Sequence, residues 1–580
     1  MKNIFPTAIA AALCLLSSPL QADSLYNCDS IERFKELLNA GADVNALDVK
    51  GLSPLHRCLS ARNCKMLLDA GANPNILSKN EANPLHYCNN KEVAELLIAA
   101  GANVNNRDNY DCTPLHACLN ADVCRALLAA GADVNARDIY GYTPLHLSDD
   151  PEISRLLIQA GANVNDTNNY GTDILNSASV RGATEAVRVL LENGAVIKNA
   201  DALMQEVCYK GHAELAALLL KHGAKVTPVD KDNNTLLHYA CKHPMYSFTL
   251  EDTFETRHLL IQLLLNAGCD PNACNKYGNT PLHTAIAGNA GRKCIEVLLA
   301  SGANPQAKGS LVRRTDDEEE NTFVVEAENA TPLHFAAQSK SYTNVPLLLA
   351  AGVEPQAKDS KGRTAIDIFR CHENYGYEGA EAIDLLINCS EQKLIQYAVE
   401  NNDLVLIRTL KKRGVNLNQK LTIDKSETTP LHLASSVEMV QELISAGADV
   451  NAANARGLTP LFCSQGAEIT RLLLSSGANV NHTDKAGGTA LNRKIFIRSS
   501  EEIVILLEAG AELNPQNAQP PLHVACVCGN VSAVQLLLDK GADLQLKNNR
   551  GFTAKQMAEK YKQTKVLKLL EEYTNKPAAE

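Results

Sequence analysis

The chain has no tryptophan, and aromatic residues supply only 4% of its 580 positions. A conventional globular core leans on aromatics for bulk, so this interior has to be built from Leu, Ala and Val in thin layers. Long apolar runs are absent beyond the first seventeen residues, and nothing after them is apolar enough to cross a bilayer. Positive charge is also short. Lys and Arg number 55 against 66 Asp and Glu, a net charge of −11, which argues against a general nucleic-acid binder with its basic stripe. What is present is an ordinary 45% of hydrophobic residues, which excludes wholesale disorder. The length suits several ordinary domains or one repetitive array.

The amino terminus reads as a targeting segment. Met1-Lys2-Asn3 carries one positive charge, Ile4 to Ser17 is apolar, and Ser18-Pro19-Leu20-Gln21-Ala22 breaks the run before Asp23. This is the three-part layout of a secretory signal peptide, with cleavage expected between Ala22 and Asp23. The apolar stretch falls short of the ~20 residues a membrane anchor needs. The expectation is an exported chain, periplasmic or secreted, with no membrane span in its mature form.

Self-similarity dominates the rest. Gly41-Ala42-Asp43-Val44-Asn45 recurs from Gly71, Gly101, Gly131 and Gly161, and in more degraded form through to Gly541. Between these markers stands Thr113-Pro114-Leu115-His116, repeated at Ser53 to His56, Asn83 to His86, Thr143 to His146, Thr280 to His283, Thr331 to His334 and Thr429 to His432. Thr before Pro supplies an N-cap oxygen, and Pro suits the first helical position, where its missing N–H costs nothing. A second, amphipathic helix such as Ile153 to Ile158 follows, ending at a Gly fit for the left-handed C′ position. Asp- and Asn-rich stretches such as Asn135 to Gly141 then form a turn-bearing hairpin.

Helix, helix, hairpin with these markers resembles the ankyrin repeat, and the similarity covers residues 24–575. It implies an all-α repeat solenoid of stacked helix-turn-helix units with β-hairpin fingers, about 17 units including degenerate caps. The expected organisation is a signal peptide over 1–22 and a first repeat block over 23–370, with a finger insert at 309–329. A degenerate stretch follows at 371–411, then a second block over 412–575 and a tail at 576–580. Units whose Gly markers stand 30 apart lack three residues between the helices, so the first helix or its loop is shortened there. A further insert is expected from His243 to Arg257, between the helices of one unit.

Nine histidines, including His56, His116, His146 and His523, hold the fourth position of the repeat opening. The resemblance gives that imidazole a structural duty, bonding the Thr hydroxyl and loop backbone. Cys371-His372, and His523 with Cys526 and Cys528, approach a zinc pattern without completing four ligands, so neither metal nor cofactor is expected. Cys28, Cys58, Cys88 and Cys118 stand thirty apart as a column, with Cys64 and Cys124 six residues after two of them. Column neighbours are a repeat apart, roughly 8–10 Å, beyond the ~7 Å between Cα atoms that a disulfide accepts. Cys58–Cys64 and Cys118–Cys124 are the possible disulfides, because the shortened loop brings the two helices together. The alternative is buried thiols acting as small hydrophobes.

Two features suggest a partner surface. Tyr110, Tyr140 and Tyr170 repeat every thirty residues just before the end of the hairpin turn, and Tyr277 holds the same place later. Tyr anchors interfaces well, having a large rigid body and a hydroxyl; the alternative is that these rings brace neighbouring fingers. Asp316-Asp317-Glu318-Glu319-Glu320 lacks the alternation of a calcium loop and reads as the acidic tip of a lengthened finger. The resemblance implies a non-enzymatic scaffold binding a protein partner on the concave surface of the array. The alternative is a dedicated inhibitor or protection regulator of an envelope or secreted enzyme. No nucleophile–base pair or oxyanion loop marks the inserts as catalytic.

Overall fold

The computed structural model describes residues 31–39, 42–227, 229–242, 252–314, 323–371, 376–423, 426–516 and 518–574. The expected signal peptide with its Ala22–Asp23 junction, Cys28, the acidic run Asp316 to Glu320 and the tail at 576–580 lie outside them. The chain is an all-α repeat solenoid of paired helices, and no closed sheet occurs among the described residues. It forms two compact units. The first ends at Cys269 and the second begins at Asp270, apart from Asp232–Asn234 and Cys241–His243, which belong to the second.

The first unit opens with shortened repeats. Their first helices are single turns, Pro54–Arg57, Pro84–Tyr87 and Pro144–Leu147, each with proline in its first turn. Their second helices, Ala61–Asp69, Lys91–Ala99, Ala121–Ala129 and Pro151–Gln159, keep nine residues each. In the second unit a full-length first helix, Pro281–Ala287, has seven. The three missing residues are therefore taken from the first helix. Two leucine rows fill the thin interior, Leu55, Leu85 and Leu145 from the first helices with Leu115 from the equivalent turn, and Leu67, Leu97, Leu127 and Leu157 from the second helices. Each such side chain contributes roughly 1.5–3 kcal/mol on burial, which is how a core without tryptophan is stabilised. The second helices end at glycines such as Gly101, whose φ of 86° lets Ala102 N–H reach back to Leu97 O at 2.9 Å.

Two departures from the sequence reading have local causes. Residues 252–257 were expected within an insert but form the first turns of the helix Asp252–Asn266. Arg257 is buried there and donates to Ala240 O at 2.8 Å and Tyr209 O at 3.2 Å, so its guanidinium bridges backbone rather than facing water. In the stretch 371–411 the helices survive and the finger is lost. Gly376–Ile387 is followed after three residues by Glu391–Glu400, with Ser390 Oγ accepting from Lys393 N–H, and then by Leu404–Lys412. The arms of the lengthened finger pair antiparallel, Gly309–Arg314 against Phe323–Ala330, with Arg314 opposite Phe323. A second small hairpin, Leu421–Ile423 with Ser426–Thr428, was not foreseen.

Candidate partner-binding face

Each tyrosine-bearing fingertip of the first unit is built by one Asp or Asn side chain. Asp138 Oδ1 accepts from Tyr140 N–H at 2.9 Å and Tyr142 N–H at 2.8 Å. Asp108 does the same for Tyr110 and Cys112, and Asn168 for Tyr170 and Thr172. The tyrosine thus sits two residues beyond the folding side chain, at the apex. Adjacent tips are stitched by backbone: Ile139 N–H donates to Tyr110 O, and Asn169 N–H to Tyr140 O, both at 3.0 Å. Gly141 follows Tyr140 at φ 80°, and a Cβ there would lie 2.7 Å from Asn169 N of the next finger, so the close approach of tips needs glycine.

These contacts place Tyr110, Tyr140 and Tyr170 on successive apices, all exposed, Tyr170 by 71%. Exposed Ile139 shares the finger of Tyr140, while exposed Leu47 and Val49, and Leu77, lie on the two fingers that precede Tyr110. Tyr277 differs. It lies in the second unit, half-buried, with Lys276 Nζ 4.9 Å from its ring centroid and that lysine paired to Asp232 at 2.7 Å. The structure therefore brings three of the four tyrosines onto one run of fingertips.

Behind the tips, histidines of the repeat opening tie their own cap to the next repeat. His56 Nδ1 accepts from Ser53 N–H at 3.0 Å, so Nε2 carries the proton, and it donates to Ala82 O of the next repeat at 2.9 Å. His116 repeats this with Thr113 N–H and Tyr142 O at 3.0 and 3.1 Å. Burial holds His56, His86, His116, His334, His432 and His523 below the ordinary 6.5, and His146 at about 4. His523 Nδ1 has no partner, since Pro520 replaces the capping Thr and brings neither N–H nor hydroxyl. Elsewhere Asp367 takes over the acceptor role, receiving Thr364 N–H at 2.8 Å. The fourth position is a bridge between repeats, and its chemistry is structural.

Sequence reasoning missed a second bridge, carried by the last residue of the Gly-Ala-Asp-Val-Asn marker. Asn75 Nδ2 donates to Gly101 O at 2.8 Å while its Oδ1 accepts Asn103 N–H at 2.6 Å. Asn105 repeats the pattern onto Gly131 and Asp133, and Asn451 does so in the second unit onto Gly477 and Asn479. The thirty-residue recurrence of Asn45, Asn75, Asn105, Asn135 and Asn165 was the available signal. The two sequence-suggested cysteine pairs are not bridged in the structure. Cys58 and Cys64, and Cys118 and Cys124, are free thiols hydrogen-bonded within each pair.

Stacked helix pairs tied repeat to repeat through His and Asn, with turns presented along one face, define a recognition solenoid. The family described as ankyrin repeats (3 copies) matches residues 22–108, 61–138, 88–168, 115–201, 253–359, 368–454, 435–517 and 496–579. The chain belongs to the ankyrin repeat family, and its repeats make it a scaffold for protein–protein interaction. It is similar to the E3 ubiquitin-protein ligase KEG of Arabidopsis thaliana, 25% identical over 66% of this chain and 19% of that protein. It is also similar to a transient receptor potential cation channel subfamily A member 1 homolog of Caenorhabditis elegans, 27% identical over 33% of this chain and 16% of the channel. Rabankyrin-5 of Mus musculus is 28% identical over 32% of this chain and 16% of its own length. The chain thus spans less than a fifth of each of these relatives. No helix among the described residues is long and apolar enough to cross a membrane.

Proposed function

We propose that this chain is a non-enzymatic, exported scaffold that holds a protein partner on the finger face of its first unit, centred on Tyr110, Tyr140 and Tyr170. The observation that carries the reading is the row of three exposed tyrosines on hydrogen-bonded apices, with exposed Ile139 beside Tyr140. Exposed aromatic rings on three adjacent tips suit a recognition surface, because tyrosine is among the residues that dominate binding energy. The acidic run Asp316 to Glu320, outside the described residues, is a separate charged candidate contact. A dedicated inhibitor of an envelope or secreted enzyme uses the same face and differs in holding one tight partner. Neither a cofactor nor nucleic acid has a part in this reading, and the net charge of −11 accords with the latter.

The test is the triple variant Tyr110→Ala, Tyr140→Ala, Tyr170→Ala, measured for partner retention and for melting. Each truncation is expected to cost ~1–2 kcal/mol of binding, with stability changing by no more than about 0.5 kcal/mol. Intact binding with a lowered melting temperature would mean that the rings only brace neighbouring fingers. Export is tested separately by the intact mass of protein from its native host. A mature chain beginning at Asp23 is expected, and retention of Met1 to Ala22 in the cytosol contradicts it.

A further inference from the structure

In the shortened repeats, the residue that closes the one-turn first helix faces the fourth residue of the second helix. Where these positions hold Ser148 and Ser154, their Oγ atoms are 3.0 Å apart. In the second unit Ser464 and Thr470 repeat the contact at 3.0 Å. The same pair of positions holds Cys58 with Cys64 and Cys118 with Cys124, sulfur against sulfur. The two members of each pair are not equivalent. Cys64 and Cys124 are completely buried, whereas Cys58 and Cys118 are half-buried at the end of the exposed turn. Their thiols donate to Ser60 O at 3.3 Å and Asn120 O at 3.2 Å.

We propose that Cys58–Cys64 and Cys118–Cys124 are two reversible dithiol–disulfide couples, each closed within one repeat by exchange with a low-molecular-weight disulfide. The outer sulfur, as thiolate, attacks one sulfur of the small disulfide. A protein–small-molecule S–S bond forms, and the first small thiolate leaves. The inner thiol then attacks the outer cysteine's sulfur, its proton passing to the departing second small thiolate. Two protein thiols are oxidised, and one small disulfide is reduced to two thiols. The hydrogen bond from the inner thiol favours this order, holding Cys58 and Cys118 below the ordinary thiol range while pushing Cys64 and Cys124 up.

The intervening repeat is an internal control. Cys88 occupies the outer position, but the inner one is Ala94, fully buried. Reduced full-length protein treated with oxidised glutathione and mapped by peptide mass is expected to show Cys58–Cys64 and Cys118–Cys124 linked peptides, each lighter by two hydrogens. Cys88 stops at the mixed disulfide. Cys64→Ser and Cys124→Ser, which recreate side chains of the Ser148–Ser154 kind, convert Cys58 and Cys118 into trapped mixed disulfides. Ala94→Cys, which places at 94 the residue already accommodated at 64 and 124, adds a third bridge to Cys88. Unaltered helical circular dichroism shows that each variant is folded. Cys58 linked to Cys88, Cys58 and Cys118 halting at the mixed disulfide as Cys88 does, or neither reacting in folded protein, would each overturn the proposal.

Discussion

Acidification from pH 6.5 towards pH 4 is expected to strip the protein of much of its stability, because its repeats are bridged by neutral, buried histidines. Above pH 6.5 these groups are uncharged in both folded and unfolded chains, and nothing is lost. Below it the unfolded chain takes up protons that the folded chain refuses, so stability falls until the folded value is reached. For His146, from 6.5 to about 4, the full loss is roughly 3 kcal/mol. His56, His86, His116, His334, His432 and His523 shift in the same direction. Protonation also removes the Nδ1 acceptor that holds Ser53 or Thr113 N–H. Urea midpoints at pH values on either side of 6.5 check this, and a midpoint flat down to about pH 4 contradicts it. The pair His116→Asn and His146→Asn is expected to reduce the dependence without abolishing it, since five histidines of the same kind remain. Asn492 shows that asparagine fits the position, its Nδ2 donating to Gln519 O at 2.8 Å.

Lys494→Ala is expected to destabilise the second unit by about 3–5 kcal/mol, the cost of leaving a buried charge without its partner. Lys494 and Glu502 are buried, with Nζ 2.8 Å from Oε1, and the lysine also donates to Ser464 O. Glu502 further accepts from Thr470 Oγ1 at 2.8 Å and Ser499 Oγ at 2.5 Å. Burial pushes the Glu502 carboxyl up, but the donors around it outweigh burial and hold it below the usual range. The double variant Lys494→Met, Glu502→Leu is expected to recover most of the loss, because apolar side chains of similar volume replace a buried pair at little cost. Repeats contact mainly their neighbours, so the damage stays regional. Hydrogen exchange should rise within Ala490–Ile497 and Ser500–Glu508 while Lys91–Ala99 is unchanged. Equal loss in single and double variants would contradict the charge argument.

The repeat was legible in the sequence because its determinants are local. Thr-Pro starts a helix and Gly ends one within a few residues, and both leave fixed letters at fixed offsets. Counting residues between those letters locates the shortening, and the structure assigns it to the first helix rather than its loop. The strand-like composition of Ser310-Leu311-Val312 and Thr322-Phe323-Val324-Val325 marks the arms of the lengthened finger, whose full extent only the pairing shows. What escaped was decided between elements. Asn75 is an ordinary turn residue until Gly101 O and Asn103 N–H of the next repeat meet its two side-chain atoms. Nothing in the sequence singles out Lys494 or Glu502, and only the packing of their two helices buries them together. Arg257 looked like the end of an insert because nothing in its neighbours reveals that Ala240 and Tyr209 carbonyls await it. Tyr277 matched the tyrosine column by spacing, yet Lys276, held by Asp232, covers its ring.

The claim that the fingertips carry the partner is tested most directly by site-specific photo-crosslinking in the native host. A photoreactive phenylalanine analogue replaces Tyr140 or Tyr170 in one set of variants. In another it replaces Glu95 or Arg155, exposed residues of the second helices Lys91–Ala99 and Pro151–Gln159. The account predicts one discrete cross-linked protein from the fingertip positions and none from the helix positions. Cross-links from Glu95 or Arg155, with the fingertips silent, would contradict it.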